Sequence, residues 1–358
     1  MTAFRREPRS AEDIELFETF MYAFEAVAPV VLIIFLGFFF KKIGMFSDEF
    51  ISKGYSFSFR IALPCMLFCN VYSIKSIGDI DWRTVIYALI MTVVLFLIAS
   101  ATVLLFVGDK RRRGVVVQCF FRSNCAIVGV SLTEALGGLE ALSSVSVITA
   151  FTIPLYNMLA VVALTAFNSD GKEGKRGLAA IDWKRIGKKI VTNPLIIGVF
   201  LGLFCLGIRS FIPVDATGEK VFMLSRELKV VYTVIENVGR IASPFMLLIM
   251  GAQFTFAAVK SRKREIVIGT LGRIVISPCL AIGLGYLLTL FGVLSLGKPE
   301  YAAFIAVFAS PVAVSTAIMA REMDNDDILA GQLVVWTSIG SVFTIFLIAM
   351  FFRTVGLL

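Results

Sequence analysis

The sequence predicts an all-α polytopic membrane protein with ten transmembrane helices, arranged as two inverted repeats of five, in which helices 4 and 9 are broken. Three observations lead there. Of its 358 residues, 58% are apolar before its 28 glycines are counted, above the roughly 45–50% usual for soluble domains with glycine included. Runs approaching the roughly 20 apolar residues that a spanning helix needs recur ten times. Motifs of the first five runs return, in the same order, in the last five.

Taken in order, a tail of mixed charge (Arg5, Arg6, Glu7, Arg9, Glu12, Asp13) fills residues 1–19 and carries no compelling cleavage site, so run 1 is expected to stay in the protein. Runs 1 to 5 lie near 20–40, 55–72, 82–107, 115–136 and 143–167. A basic stretch, 168–192, separates them from runs 6 to 10, near 193–208, 230–254, 266–291, 301–319 and 332–352. Run 4 is cut by Arg122-Ser123-Asn124 and run 9 by Ser310-Pro311. Run 6 opens on Asn193-Pro194, a cap followed by proline in the first turn.

The duplication is read from three pairs. Arg60-Ile61-Ala62-Leu63-Pro64-Cys65-Met66-Leu67 in run 2 matches Arg240-Ile241-Ala242-Ser243-Pro244-Phe245-Met246-Leu247 in run 7 at six of eight positions. Pro29 with Phe35-Leu36-Gly37 in run 1 recurs as Pro194 with Phe200-Leu201-Gly202 in run 6. Phe121 and Ser123 in run 4 correspond to Phe308 and Ser310 in run 9. Because a five-span unit has an odd number of crossings, residues 193–358 must enter the membrane upside down relative to residues 20–167.

The excess of 34 Lys and Arg over 26 Asp and Glu, a net +8, sits in the connections, so it reads as a topology signal and not as a nucleic-acid surface. Lys41, Lys42 and Lys53 follow run 1; Lys110, Arg111, Arg112 and Arg113 follow run 3; Lys260, Arg262, Lys263 and Arg264 follow run 7. With the basic stretch after run 5, these place the odd-numbered connections in the cytoplasm and both termini outside the cell membrane. Histidine is absent, which removes His-activated nucleophiles, His-containing zinc sites and the commonest near-neutral proton switch. The six cysteines lie in apolar stretches without a CxxC and read as small hydrophobes. No metal, no cofactor and no enzyme chemistry is expected.

A broken helix in each repeat frees backbone groups that lipid cannot satisfy, so the breaks must be buried or line a cavity. Half-helices starting after such breaks turn N–H groups and a partial positive charge inward, which suits an anion. The breaks fall at Ser123-Asn124-Cys125 and Ser310-Pro311-Val312, with Gly129 allowing close approach on the following turn. Among charges inside the runs the basic candidates are Arg60, Arg122, Arg240 and Arg273, and the clearest acidic one is Glu236. That balance favours an anionic ligand over a free cation. Two alternatives stand beside it: Glu236 and Arg240, four apart, pair on one helix face, and Arg60 and Arg273, near run starts, snorkel. By elimination Glu236 is the candidate proton carrier. Asn70 and Asn157 are candidates to line a cavity or to bond between helices.

Asn193-Pro194-Leu195-Ile196-Ile197-Gly198, the stretch from Ala242-Ser243-Pro244 to Gly251, the break from Ser123-Asn124 to Gly129, and Ser310-Pro311-Val312-Ala313 running to Ala320-Arg321-Glu322 resemble, in order and spacing, the auxin efflux carrier family. That family includes plant auxin exporters and bacterial malate permeases, and the resemblance begins near Tyr22. It implies a scaffold part and a transport part whose helices 4 and 9 cross, with alternating access by an elevator or rocking movement. It places the substrate cradle on Asn124 with its neighbours Ser123, Cys125 and Gly129, and on Ser310, Pro311, Val312 and Ala313. The family permits homodimers. Ser310 stands where plant carriers have asparagine, and 168–192 lacks their long regulatory segment, which turns the expected substrate from auxin toward a small carboxylate such as malate. The expected protein is a carrier of small organic anions in the lipid bilayer, with a proton or sodium as possible coupling ion. Its rivals are a sodium-coupled symporter of the bile-acid type and a membrane sensor that binds without transporting.

Overall fold

The computed structural model describes residues 11–73, 81–125, 129–167, 192–213, 222–252, 254 and 256–358. Residues 1–10 of the expected tail, 168–191 of the expected basic loop, Lys75 and Gln253 lie outside them. Among the described residues the chain is helical apart from connections and one isolated antiparallel bridge.

The helices are α1 (Ala11–Lys42), α2 (Asp48–Phe57), α3 (Leu63–Tyr72), α4 (Trp82–Phe106), α5 (Lys110–Phe121), α6 (Val130–Ala166), α7 (Pro194–Phe211), α8 (Lys229–Ala252), α9 (Lys263–Leu271), α10 (Ser277–Leu290), α11 (Lys298–Phe304), α12 (Ser315–Glu322) and α13 (Asp327–Thr354). One-turn helices at Leu224–Glu227 and Phe256–Ser261 join them. Starts at the edges of the apolar runs are capped by short polar side chains that accept the first free N–H groups. Asp81 accepts from Arg83, Asp109 from Arg111, Asn193 from Leu195 and Asp326 from Leu329, at 2.9–3.1 Å.

Among the described residues, five helices are long and apolar enough to cross a membrane: Trp82–Phe106, Val147–Ala166, Pro194–Phe211, Lys263–Leu290 and Asp327–Thr354. They are the third, fifth, sixth, eighth and tenth expected runs, and they make this a multi-pass helical membrane protein. The other runs fold as helices that contain a proline or are interrupted. Pro29 lies inside α1 and Pro244 inside α8. A π-helical turn, Ser58–Ala62, separates α2 from α3 just before Pro64, which has no N–H to give the ladder. Run 4 leaves helical geometry at Arg122-Ser123-Asn124 and is helical again at Cys125, ahead of α6, and run 9 passes from α11 through the π-helical turn Ile305–Ala309 to a stop at Ser310. Gly138, at φ 67°, turns the chain from run 4 into run 5 without a loop.

Glycines set the closest helix pairs. Gly37 of α1 faces the backbone of Leu248 in α8, and Gly251 of α8 faces the backbone of Ile34 in return. Gly198 of α7 faces the backbone of Pro64 in α3, and Gly202 faces Phe68 and Val71 there. So α1, α3, α7 and α8 pack as one group. A second group holds α4, α5 and α6 with α9 to α13, tied for instance by the Tyr87 hydroxyl donating to Ala281 O at 2.5 Å. Large apolar side chains such as Leu104, Phe204, Val230, Phe343 and Leu347 point outward, as lipid contact requires. The two interrupted runs are the reverse: Val115 to Phe121 and Tyr301 to Val312 are buried throughout.

Candidate functional site

The chain leaves helical geometry at both breaks for local reasons. Arg122 is extended (ψ 107°) ahead of Ser123 and Asn124, residue types of low helix propensity. Ser310 is extended (ψ 153°) because the ring of Pro311 crowds an α conformation in the preceding residue. The two extended segments then satisfy one another. Asn124 N–H donates to Pro311 O at 2.8 Å, Ala313 N–H donates to Arg122 O at 3.1 Å, and Ser123 pairs with Val312 in an antiparallel bridge. Val312 N–H donates to the Thr337 hydroxyl of α13 at 3.1 Å. Backbone freed by the two interruptions is thus paired inside the protein, the condition for irregular chain at membrane depth. Gly129 lets the resumed helix lie close to Ala306, because a Cβ at Gly129 would stand 3.1 Å from that of Ala306.

Two cations lie at this crossing. Arg122 is 3% exposed and donates to Gln118 Oε1 at 2.8 Å and Met319 Sδ at 2.7 Å, and through its other terminal nitrogen to Asn157 Oδ1 at 2.7 Å. Arg273, wholly buried, donates to three backbone carbonyls: Ser310 at 2.7 Å, Val307 at 2.9 Å and Phe120 at 3.1 Å. Among the described residues no carboxylate pairs with either arginine. A buried charge is costly unless dipoles or a counter-charge offset it: Arg273 has the carbonyl ends of two broken helices, whereas Arg122 has only neutral side chains.

A cavity of about 50 Å³ opens where the crossing meets α3, α6, α7 and α8. Its walls include Arg122, Ser123, Asn124, Asn157, Ala313 and Ser315, together with Asn70, Tyr156 and Met246. At ~10–15 Å³ per water by this measure, it has room for a few waters or a carboxylate head. Asn124 Nδ2 and Ser123 Oγ are buried without a hydrogen-bond partner. Val314 and Ser315 bring the N-terminal end of α12 to the same wall.

Of the residues singled out in the sequence, Arg122, Ser123, Asn124, Asn157 and Ala313 meet at the cavity, and Asn70 joins them. Cys125, Gly129, Ser310, Pro311 and Val312 build the crossing behind it and do not line it. Glu236 and Arg240 are not brought there. They pair at 2.7 Å on α8, with the Arg240 side chain 72% exposed, the same-face pairing open at the sequence level. Arg60 is likewise exposed, 3.9 Å from Glu322. Snorkelling does not describe Arg273: its partners are carbonyls at the crossing, so the side chain turns inward. Thr337, Gln118 and Met319 belong to the site's supports and had no motif to announce them.

A helical membrane protein whose interrupted helices cross beside an otherwise apolar cavity that carries a few polar groups has the construction of a carrier. The family described as "membrane transport protein" matches residues 22–349. The chain belongs to that family, the auxin efflux carrier type of membrane transporter, and so to a transporter family and not an enzyme family. A comparison with curated proteins gives no match.

Proposed function

We propose that the protein carries a small organic carboxylate, such as malate or an auxin-like acid, across the cell membrane by alternating access, with an elevator or rocking movement of the second helix group against the first. The observation that carries this reading is Arg122, a buried cation without a carboxylate partner among the described residues, on the wall of a cavity where Asn124 Nδ2 is an unused donor. A carboxylate is acceptor-only and anionic, so it satisfies both groups. Asn157 holds the Arg122 guanidinium, while Ser123, Ala313 and the α12 N-terminus border the bound head. Cys125, Gly129, Ser310, Pro311 and Val312 maintain the crossing.

The proposal includes ten spans in two inverted repeats. Its support is a mirrored contact: Gly37 meets Leu248, and its counterpart Gly202 meets Phe68, the counterpart of Leu248. Positive-inside charge puts the end bearing Lys41, Arg112 and Arg262 in the cytoplasm.

The test is flux in proteoliposomes, using the carboxylate that most raises the apparent melting temperature of the purified protein. Asn124→Ala removes a hydrogen bond to a charged group, about 1.5–3 kcal/mol, and is expected to lower carboxylate uptake by roughly tenfold or more with the melting temperature retained. Undiminished uptake would remove Asn124 from the site.

A further inference from the structure

Arg273 lies in a π-helical turn, Gly272–Ile276, that inserts an extra residue between α9 and α10. Its three carbonyl partners are not scattered. Phe120 is in the last turn of α5, and Val307 and Ser310 end the helical part of run 9, so all three sit where the two broken helices present unpaired oxygens and partial negative charge. The Ser277 hydroxyl, 3.4 Å from the guanidinium, donates to Phe308 O at 3.2 Å and adds a fourth oxygen. Gly272 makes the approach possible, since any Cβ there would collide with the Phe120 ring. Carbonyls at the C-terminal ends of broken helices are the ligands that carriers use for a free alkali cation. Here that position is filled by a charge belonging to the chain.

We infer that Arg273 is a tethered cation occupying a cation site between the two half-helix ends, so the crossing needs no dissociable cation and loss of the side chain exposes a latent site for one. Arg273 is thereby a positioning residue: it holds Phe120 and Ser310, and through them the segments that carry Asn124 and Ala313. The inference rests on the carrier reading only for its meaning in transport, because occupancy of the latent site can be read by binding alone.

The experiment compares purified wild type, Arg273→Ala and Arg273→Lys in chloride salts of guanidinium, sodium and choline at equal low millimolar concentration. In choline, Arg273→Ala is expected to melt several degrees below wild type. Guanidinium should restore most of that difference, and sodium part of it, while wild type responds to neither. Arg273→Lys, which keeps the charge, should gain little from either salt. A response of Arg273→Ala no greater than that of wild type would overturn the inference. Should Arg273→Ala not insert, Arg273→Gln takes its place with the same expectations. In wild-type proteoliposomes, replacing sodium by potassium should leave carboxylate uptake within twofold, and a collapse of uptake would contradict a permanently filled site while leaving the carboxylate reading standing. If no carboxylate moves in either salt, the carrier reading fails and the melting comparison still decides the role of Arg273.

Discussion

At the scale of single residues, the two buried arginines divide the electrostatic work. Arg273 is matched by backbone oxygens and has no donor aimed at the cavity, whereas Arg122 stands on the cavity wall beside Asn124 and Asn157. Replacing Arg122 by glutamine keeps length and a donor but removes the charge. Charged hydrogen bonds contribute about 1.5–3 kcal/mol, so Arg122→Gln is expected to weaken carboxylate affinity by roughly tenfold or more, measured as the ligand concentration giving half the melting shift. Equal affinity in the variant would mean that the anion does not meet Arg122. Arg122, Asn124 and Asn157 were legible in the sequence because polar side chains inside apolar runs are conspicuous. The role of Arg273 was not, since its partners are main-chain carbonyls, which no pattern of residue types reveals. Glu236 and Arg240 were legible as a pair by their spacing, and the 2.7 Å contact takes the pairing branch of that choice.

At the scale of elements, hydropathy located the apolar runs, and Pro311 and the Arg122-Ser123-Asn124 triplet marked two interruptions. How the interruptions pair was hidden, because the bridge between Ser123 and Val312 and its flanking bonds are made by backbone groups common to all residues. The π-helical turns at Ser58–Ala62, Gly272–Ile276 and Ile305–Ala309 each end two residues before a proline, Pro64, Pro278 and Pro311, which marks the place in the sequence without revealing the extra residue in the turn. The repeated Phe-Leu-Gly motif was visible, and its reason is now physical: its glycine is where one helix touches the backbone of another. Gly37→Val is therefore expected to lower the apparent melting temperature markedly, since overpacking of this kind costs about 1–3 kcal/mol and more against an unyielding backbone. Gly283→Ala, where an added Cβ meets no neighbour, is the control and should change it by little. Equal behaviour of the two would show that the α1–α8 contact is not tight.

At the scale of the whole molecule, one end is fastened by charge. Arg112 reaches Glu265 at 3.1 Å and Asp326 at 3.2 Å, Arg262 meets the same Asp326 at 2.8 Å, and Asp326 caps α13, which ties α5, α9 and α13 into one body. This body meets the group of α1, α3, α7 and α8 through α1, which packs against α13, and at that end through two side-chain contacts. Arg321 stacks over the Tyr55 ring at 4.8 Å, and Glu322 approaches Arg60 at 3.9 Å, one turn of α12 beyond Ile318 on the cavity wall. The movement proposed above would have to carry this body past the α1–α13 seam as a unit. The proposed cargo rests on the charge carried inside. Since the interior cavity offers a cation and unused donors but no described carboxylate, the protein should discriminate by ligand charge before shape. The most direct measurement is initial uptake into proteoliposomes of a small dicarboxylate such as malate against its neutral diamide, which has nearly the same size. Saturable uptake of the acid with at least tenfold slower entry of the amide is the predicted result; equal uptake of both would contradict an anion site built on Arg122.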